Sequence, residues 1–185
     1  MVSRQEQKNR NELRKQALLR YKKQRQRNVL AEPGEHDFII VLDHLKAGFN
    51  IPKIFRSAEA MGAHSVHLVG IGPFDPAAAK GSFKKVPARF HDDFESCYQE
   101  LSDAGYRLFT LEPDGDESLL KMNLPAKSAF ILGHEEFGIS FEQSAYPDIR
   151  SISIPQFGSV ESLNVSIAAS IMMFEYVRQH HATHS

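Results

Sequence analysis

Asp37-Phe38-Ile39-Ile40-Val41-Leu42-Asp43 places five apolar residues between two aspartates with no polar residue among them. A strand with one wet face would alternate polar and apolar positions. A continuous run fits a strand buried on both faces, as in the middle of a parallel sheet. Parallel neighbours need a crossover, and the next residues supply one. Gly48-Phe49-Asn50-Ile51-Pro52 leads into a helical stretch over about 53–61, and Gly62 stops it. A second strand follows over 64–69, so the order reads as a βαβ unit. Further strands are expected over 106–111, 128–133 and 150–154. Residues 92–104 fit a helix with Phe94, Cys97, Tyr98 and Leu101 on one face, and 141–145 a short one. Residues 70–90 read as a long irregular segment carrying Lys80, Lys84, Lys85 and Arg89. The fold class is α/β, with helices flanking a parallel sheet.

The last strand runs through Ile154-Pro155-Gln156-Phe157-Gly158 into a long apolar helix over about 162–179. Ser162 is a good N-cap. Leu163, Val165, Ile167, Ile171, Met172, Met173, Phe174 and Val177 go nearly all round this helix, so it is expected to be buried. Ser162 and Asn164 sit at its first turn beside the glycine loop, where free backbone N–H groups can bind oxygens.

The net charge of −1 conceals an asymmetry. Up to Asn28 the chain carries ten Lys and Arg against Glu6 and Glu12, so the remainder is acidic. A basic arm on an acidic body is a common footprint of nucleic-acid binding. Leu13, Ala17, Leu18 and Tyr21 form a thin apolar stripe that could instead dock the arm as a brace. Residues 31–35 are a linker by composition, which makes 1–34 a basic N-terminal extension with its linker and 35–185 one domain. The single cysteine, Cys97, excludes an intramolecular disulfide and a CxxC metal site. The nine histidines show no HExxH spacing, so no metal is expected. No apolar run approaches a membrane span, and no N-terminal apolar core marks a signal peptide, which makes the cytoplasm the default. GxGxxG and GxxxxGKS are absent, which leaves dinucleotide and P-loop readings without support.

Three stretches following predicted strands share a pattern. Asn50 and Arg56 are spaced Asn-x-x-x-x-x-Arg, Gly133-His134-Glu135-Glu136-Phe137-Gly138 reads Gly-x-Glu-x-x-Gly, and 154–168 reads Ile-Pro-x-x-Gly-x-x-x-Ser-Leu-Asn-Val-Ser-x-Ala. In this order they resemble the three motifs of the SpoU–TrmH family of RNA ribose 2′-O-methyltransferases, in the SPOUT superfamily. Open α/β sheets bind ligands at the carboxyl ends of their strands, where all three fall.

The resemblance implies a SPOUT domain over 35–185 whose C-terminal part forms a deep trefoil knot. It also implies a homodimer, with S-adenosylmethionine held in the knot. The adenosyl pocket would comprise Thr110, Leu111, Gly133, Ile154, Gln156 and Leu163, with Gln156 standing where the family often has Met. Gly133 would let the backbone approach a ligand. Arg56 would be the central catalytic residue, with Asn50, Glu135, Ser162 and Asn164 around it. The arginine could be base or phosphate clamp, and a guanidinium pKa above about 12 makes the first demanding. RNA, tRNA or rRNA, would meet Arg14, Arg20, Lys22, Lys23 and Arg25 on the arm and Lys84 and Lys85 in the loop. Two other classes remain open: a catalytically silent RNA-binding or ribosome-assembly protein of this fold, and an RNA base methyltransferase.

Overall fold

The computed structural model describes residues 4–181. Among the described residues there are seven strands: β1 (Phe38–Asp43), β2 (Ser65–Val69), β3 (Ala88–His91), β4 (Arg107–Leu111), β5 (Glu117–Ser118), β6 (Ser128–Leu132) and β7 (Arg150–Ser153). They form one sheet in the order β3-β2-β1-β6-β4-β7-β5, and every neighbouring pair is parallel. Every residue of β1, β2 and β6 is buried, as in central strands of a parallel sheet covered on both faces, and the polar Asp43, Ser65, His67 and Ser128 are buried with the rest.

Two strands are not anticipated by the sequence pattern. Residues 70–90 contain two 3₁₀ turns, Pro76–Ala79 and Ser82–Lys84, and then edge strand β3. Its four residues, Ala-Arg-Phe-His, carry a weak apolar signal. Strand β5 is two residues long and lies just after an acidic turn. In that turn Gly115 is required, because a Cβ there would lie 2.4 Å from the carbonyl carbon of Ile152. The short helix expected near 141–145 is a 3₁₀ turn, Gln143–Ala145.

The described residues form four helices: α1 (Arg4–Asn28), α2 (Asn50–Ala60), α3 (Phe94–Asp103) and α4 (Val165–His180). The main core joins α2 and α4 to one face through Ile51, Ile54, Phe55, Met172, Met173 and Tyr176. Pro52, third in α2 and buried, forfeits an N–H that no residue of a first turn can bond within the helix. A second core packs Phe94, Cys97 and Leu101 of α3 on the side chains of Ile39, Val41 and Ile131. Phe94 stacks on Phe141 there, with ring centroids 3.7 Å apart.

Helix α4 departs from expectation in two ways. It begins at Val165, capped by Asn164 rather than Ser162; Asn164 Oδ1 accepts from Ser166 N at 3.0 Å and from Ser166 Oγ at 2.6 Å. It is also not buried all round. Met172 and Met173 are fully buried, while Ile167, Ile171 and Phe174 form an exposed stripe at helical spacing.

Helix α1 divides into two halves. From Gln5 to Gln16 every side chain is exposed. The second half docks: Tyr21 packs against Phe74 and Phe83, and Arg20 forms a two-pronged ion pair with Asp75. Asn28, buried, donates to the carbonyls of Phe83 (2.5 Å) and Val86 (2.7 Å) and accepts from Ala88 N (2.9 Å). Of the expected stripe only Tyr21 is buried; Ala17 is half-buried and Leu13 and Leu18 are exposed.

Candidate active site

The loops after β4, β6 and β7 converge at the carboxyl edge of the sheet around a cavity of ≈ 460 Å³. Leu111, Ile139, Ile154, Leu163 and Ala168 supply apolar walls, and Glu112, Glu135, Gln156, Ser162 and Asn164 supply polar ones. The volume lies in the range of small-molecule sites, as does the mix of apolar wall and few polar groups. Gln156 Oε1 is buried in this wall with no hydrogen-bond partner among the described residues, an acceptor left for a ligand.

Asn50, which is not itself part of the lining, links two lining residues, Glu135 and Asn164, in one hydrogen-bonded chain. Asn164 Nδ2 donates to Asn50 Oδ1 at 3.3 Å, and Asn50 Nδ2 donates to Glu135 Oε1 at 2.8 Å. Lys46 N also donates to Glu135 Oε2, at 3.4 Å. Residues 50, 135 and 164 come from three separate stretches of chain, the first and last at the starts of helices and Glu135 in the turn after β6. Asn50 is the first residue of α2 rather than the residue before it, and Asn164 caps α4. Desolvation is the largest single influence on the Glu135 carboxyl and pushes its pKa up. The hydrogen bonds from Asn50, from its own backbone and from Lys46 together outweigh it and hold the group below its ordinary range. Glu135 is therefore ionised at neutral pH.

Glu135 is placed by a tight turn. His134 and Gly138 exchange backbone hydrogen bonds, with Gly138 at φ 74°, and His134 Nδ1 accepts from the N–H groups of Glu136 and Phe137. This turn requires a glycine at 133: a Cβ on it would lie 2.4 Å from the carbonyl carbon of Gly138.

Of the expected cofactor residues, Leu111, Gly133, Ile154, Gln156 and Leu163 line the cavity. Thr110 does not; it is fully buried in β4, one residue short of the edge. Sequence reasoning passed over Glu112 and Ile139, although Glu112 directly follows the end of β4. Ser162 lines the cavity. Arg56 does not line it. It is exposed on α2, and its side chain has no hydrogen bond or ion pair to the described residues.

The basic residues separate by partner. Arg20 is committed to Asp75, Lys85 Nζ pairs with Glu59 at 2.8 Å, and the Arg25 guanidinium lies 4.1 Å from the Phe90 ring centre. Arg14, Lys22 and Lys23 are exposed on α1, and Lys84 is half-buried.

The model of the SpoU rRNA Methylase family matches residues 37–174. A tRNA (guanosine(18)-2′-O)-methyltransferase of Thermus thermophilus is 31% identical over 147 residues, covering 77% of this chain and 75% of the relative. A 23S rRNA (guanosine-2′-O-)-methyltransferase of Neisseria meningitidis is 30% identical over 161 residues, covering 82% of this chain and 62% of the relative. Among solved structures, the SpoU methyltransferase AviRb of Streptomyces viridochromogenes, in complex with the cofactor AdoMet, superposes with a TM-score of 0.71. It is 27% identical, and the match covers 81% of this chain and 60% of that one. The chain thus spans about three fifths to three quarters of the length of these relatives.

Proposed function

The chain belongs to the SpoU rRNA methylase family, and from that premise we propose that it transfers a methyl group from S-adenosylmethionine to a ribose 2′-hydroxyl of tRNA or rRNA. The observation that carries this reading is the Asn164–Asn50–Glu135 chain at the rim of a partly apolar cavity. It joins all three motif stretches in one place.

The cavity fits the cofactor. Leu111, Ile154 and Leu163 would flank an adenosyl group, and the unpaired Gln156 Oε1 would accept from an adenine amino group. The carboxylates of Glu112 and Glu135 favour a cation beside them. S-adenosylmethionine, when bound, supplies an electrophilic methyl on a positively charged sulfur. The protein's part is to bring a hydroxyl into line and ease the loss of its proton. Glu135 and Asn164 hold Asn50 from both ends of its amide, so Asn50 presents one fixed face at the rim. Arg56 has no partner among the described residues, and its planar fork suits the phosphate next to the target ribose. In that role it clamps the backbone and polarises the hydroxyl rather than acting as base. Ser162 lies on the cavity rim, where its hydroxyl would meet either the cofactor or the ribose.

Three finer features belong to the same proposal. The tail threads to a trefoil knot, supported by β7 lying inside β5 and between strands formed earlier in the chain. Two copies pair through the exposed α4 stripe of Ile167, Ile171 and Phe174, which a lone chain leaves in water. The basic first half of α1, exposed on all sides, meets RNA phosphates in the cytoplasm. No helix among the described residues is long and apolar enough to cross a membrane.

The test is calorimetric titration with S-adenosylmethionine. Saturable binding is expected in the wild type, and Leu163→Trp, which fills the cavity, should weaken it at least about tenfold while the fold persists. Unchanged affinity in Leu163→Trp would remove the cofactor from this cavity.

A further inference from the structure

The second core holds a polar cluster that the methyl-transfer site does not use. His67 on β2 pairs across the sheet with Arg89, so His91, two residues further along β3, projects from the same face. Helix α3 covers that face and brings down Cys97. His67 Nδ1 lies 3.0 Å from His91 Nε2 and 3.8 Å from Cys97 Sγ, and the three ligand atoms all fall within 4.8 Å of one another. None of these residues lines the cavity at the carboxyl edge.

We propose that His67, His91 and Cys97 form a zinc site that ties α3 to the β2–β3 edge of the sheet. Zinc bonds of about 2.0–2.1 Å to nitrogen and 2.3 Å to sulfur at tetrahedral angles put ligand atoms roughly 3.3 Å (N to N) and 3.6 Å (N to S) apart. The two observed separations, 3.0 and 3.8 Å, lie within a few tenths of an ångström of these edges. Mixed imidazole and thiolate donors select zinc over the harder cations that prefer oxygen. The fourth corner is left to water or to Glu100. Glu100 stands one turn beyond Cys97 on the same side of α3 and shares a cavity of ≈ 190 Å³ with His67. That cavity also gives an ion a way in. On binding, the thiol proton of Cys97 passes to solvent and the thiolate takes the metal. Each imidazole keeps one proton, on Nε2 of His67 and Nδ1 of His91, and gives its facing lone pair to zinc. Arg89 is the unfavourable charge nearby, and Asp43 and Glu100 offset it.

Cys97 is the sole cysteine of the chain, which makes its signature unambiguous. The full chain, stripped with a chelator, is titrated with cobalt(II) and then with zinc(II). Cobalt is expected to give a near-ultraviolet thiolate-to-metal band with the visible bands of a tetrahedral centre, and zinc to displace both. Zinc at about a hundredfold excess over Kd should raise the melting midpoint by about 5–10 °C. Cys97→Ser should lose the near-ultraviolet band and most of the thermal shift, while His181→Ala keeps both. Should Cys97→Ser fold poorly, His91→Asn serves as second variant, and protection of wild-type Cys97 from a thiol reagent by zinc is the second measurement. Absence of the thiolate band at saturating cobalt, or a reagent rate unaffected by zinc, overturns the site.

Discussion

Asn50 Nδ2 donates to Glu135 Oε1 at 2.8 Å, joining the start of α2 to the turn after β6 across 85 residues of sequence. A hydrogen bond to an ionised group is worth about 1.5–3 kcal/mol. Asn50→Ala and Glu135→Gln should therefore each lower kcat by roughly 10- to 150-fold, with cofactor affinity less affected. The double variant should cost little more than either single one, because both break one unit. A pH dependence follows from the same bond. The Glu135 carboxyl is held below its ordinary range, so the ionised arrangement persists above that lowered pKa and is lost as pH falls through it. Asn50→Ala removes a stabilising donor, so the acid limb of its pH–rate profile should move to higher pH.

Arg56→Ala should abolish methyl transfer while leaving S-adenosylmethionine binding and the melting midpoint unchanged, since Arg56 is exposed and has no partner among the described residues. Arg56→Lys should also fail, because an ammonium lacks the planar fork. Single-turnover assays and calorimetry on the same preparations separate the two effects.

The two halves of α1 should behave differently on truncation. A chain starting at Ala17 loses only the exposed half, so stability should hold while the salt dependence of RNA binding flattens. The slope falls by about 0.7–0.9 for each phosphate that the arm no longer neutralises. Asn28→Ala instead strips three hydrogen bonds from buried backbone groups, and should cost about 2–4 kcal/mol in denaturant unfolding. An unchanged salt slope in the truncated chain would end the RNA role of the arm and leave α1 as a brace.

On α4, Phe174→Glu or Ile171→Glu should yield a folded monomer by sedimentation, because both side chains already face water. Met172→Glu should unfold the chain, since it places a charge in a fully buried position. A wild-type monomer at micromolar concentration would contradict the pairing of two copies.

The central sheet was legible because 38–42 in β1 is apolar without interruption, and the βαβ opening followed from Pro52 and Gly62. Strands β3 and β5 were not, because an edge strand need not be apolar and a two-residue strand has no period. The cap of α4 was misplaced by two residues because Ser162 and Asn164 are equally good caps, and only packing decides between them. Motif spacing singled out Asn50, Glu135 and Asn164, whereas their hydrogen bonds to each other depend on the sheet order. The internal partners of the basic residues were the least legible. Charge is visible in sequence, but partners such as Asp75 for Arg20 and Glu59 for Lys85 lie far away along the chain.

The most direct measurement is nucleoside mass spectrometry of tRNA and rRNA incubated with the pure protein and methyl-deuterated S-adenosylmethionine. A labelled methyl on ribose is expected, found as a 2′-O-methylnucleoside after enzymatic digestion and at a phosphodiester that resists alkaline hydrolysis in the intact RNA, and none with Arg56→Ala. A label on a base, or no label in RNA under conditions where the cofactor is bound, would contradict ribose 2′-O-methyl transfer by this chain.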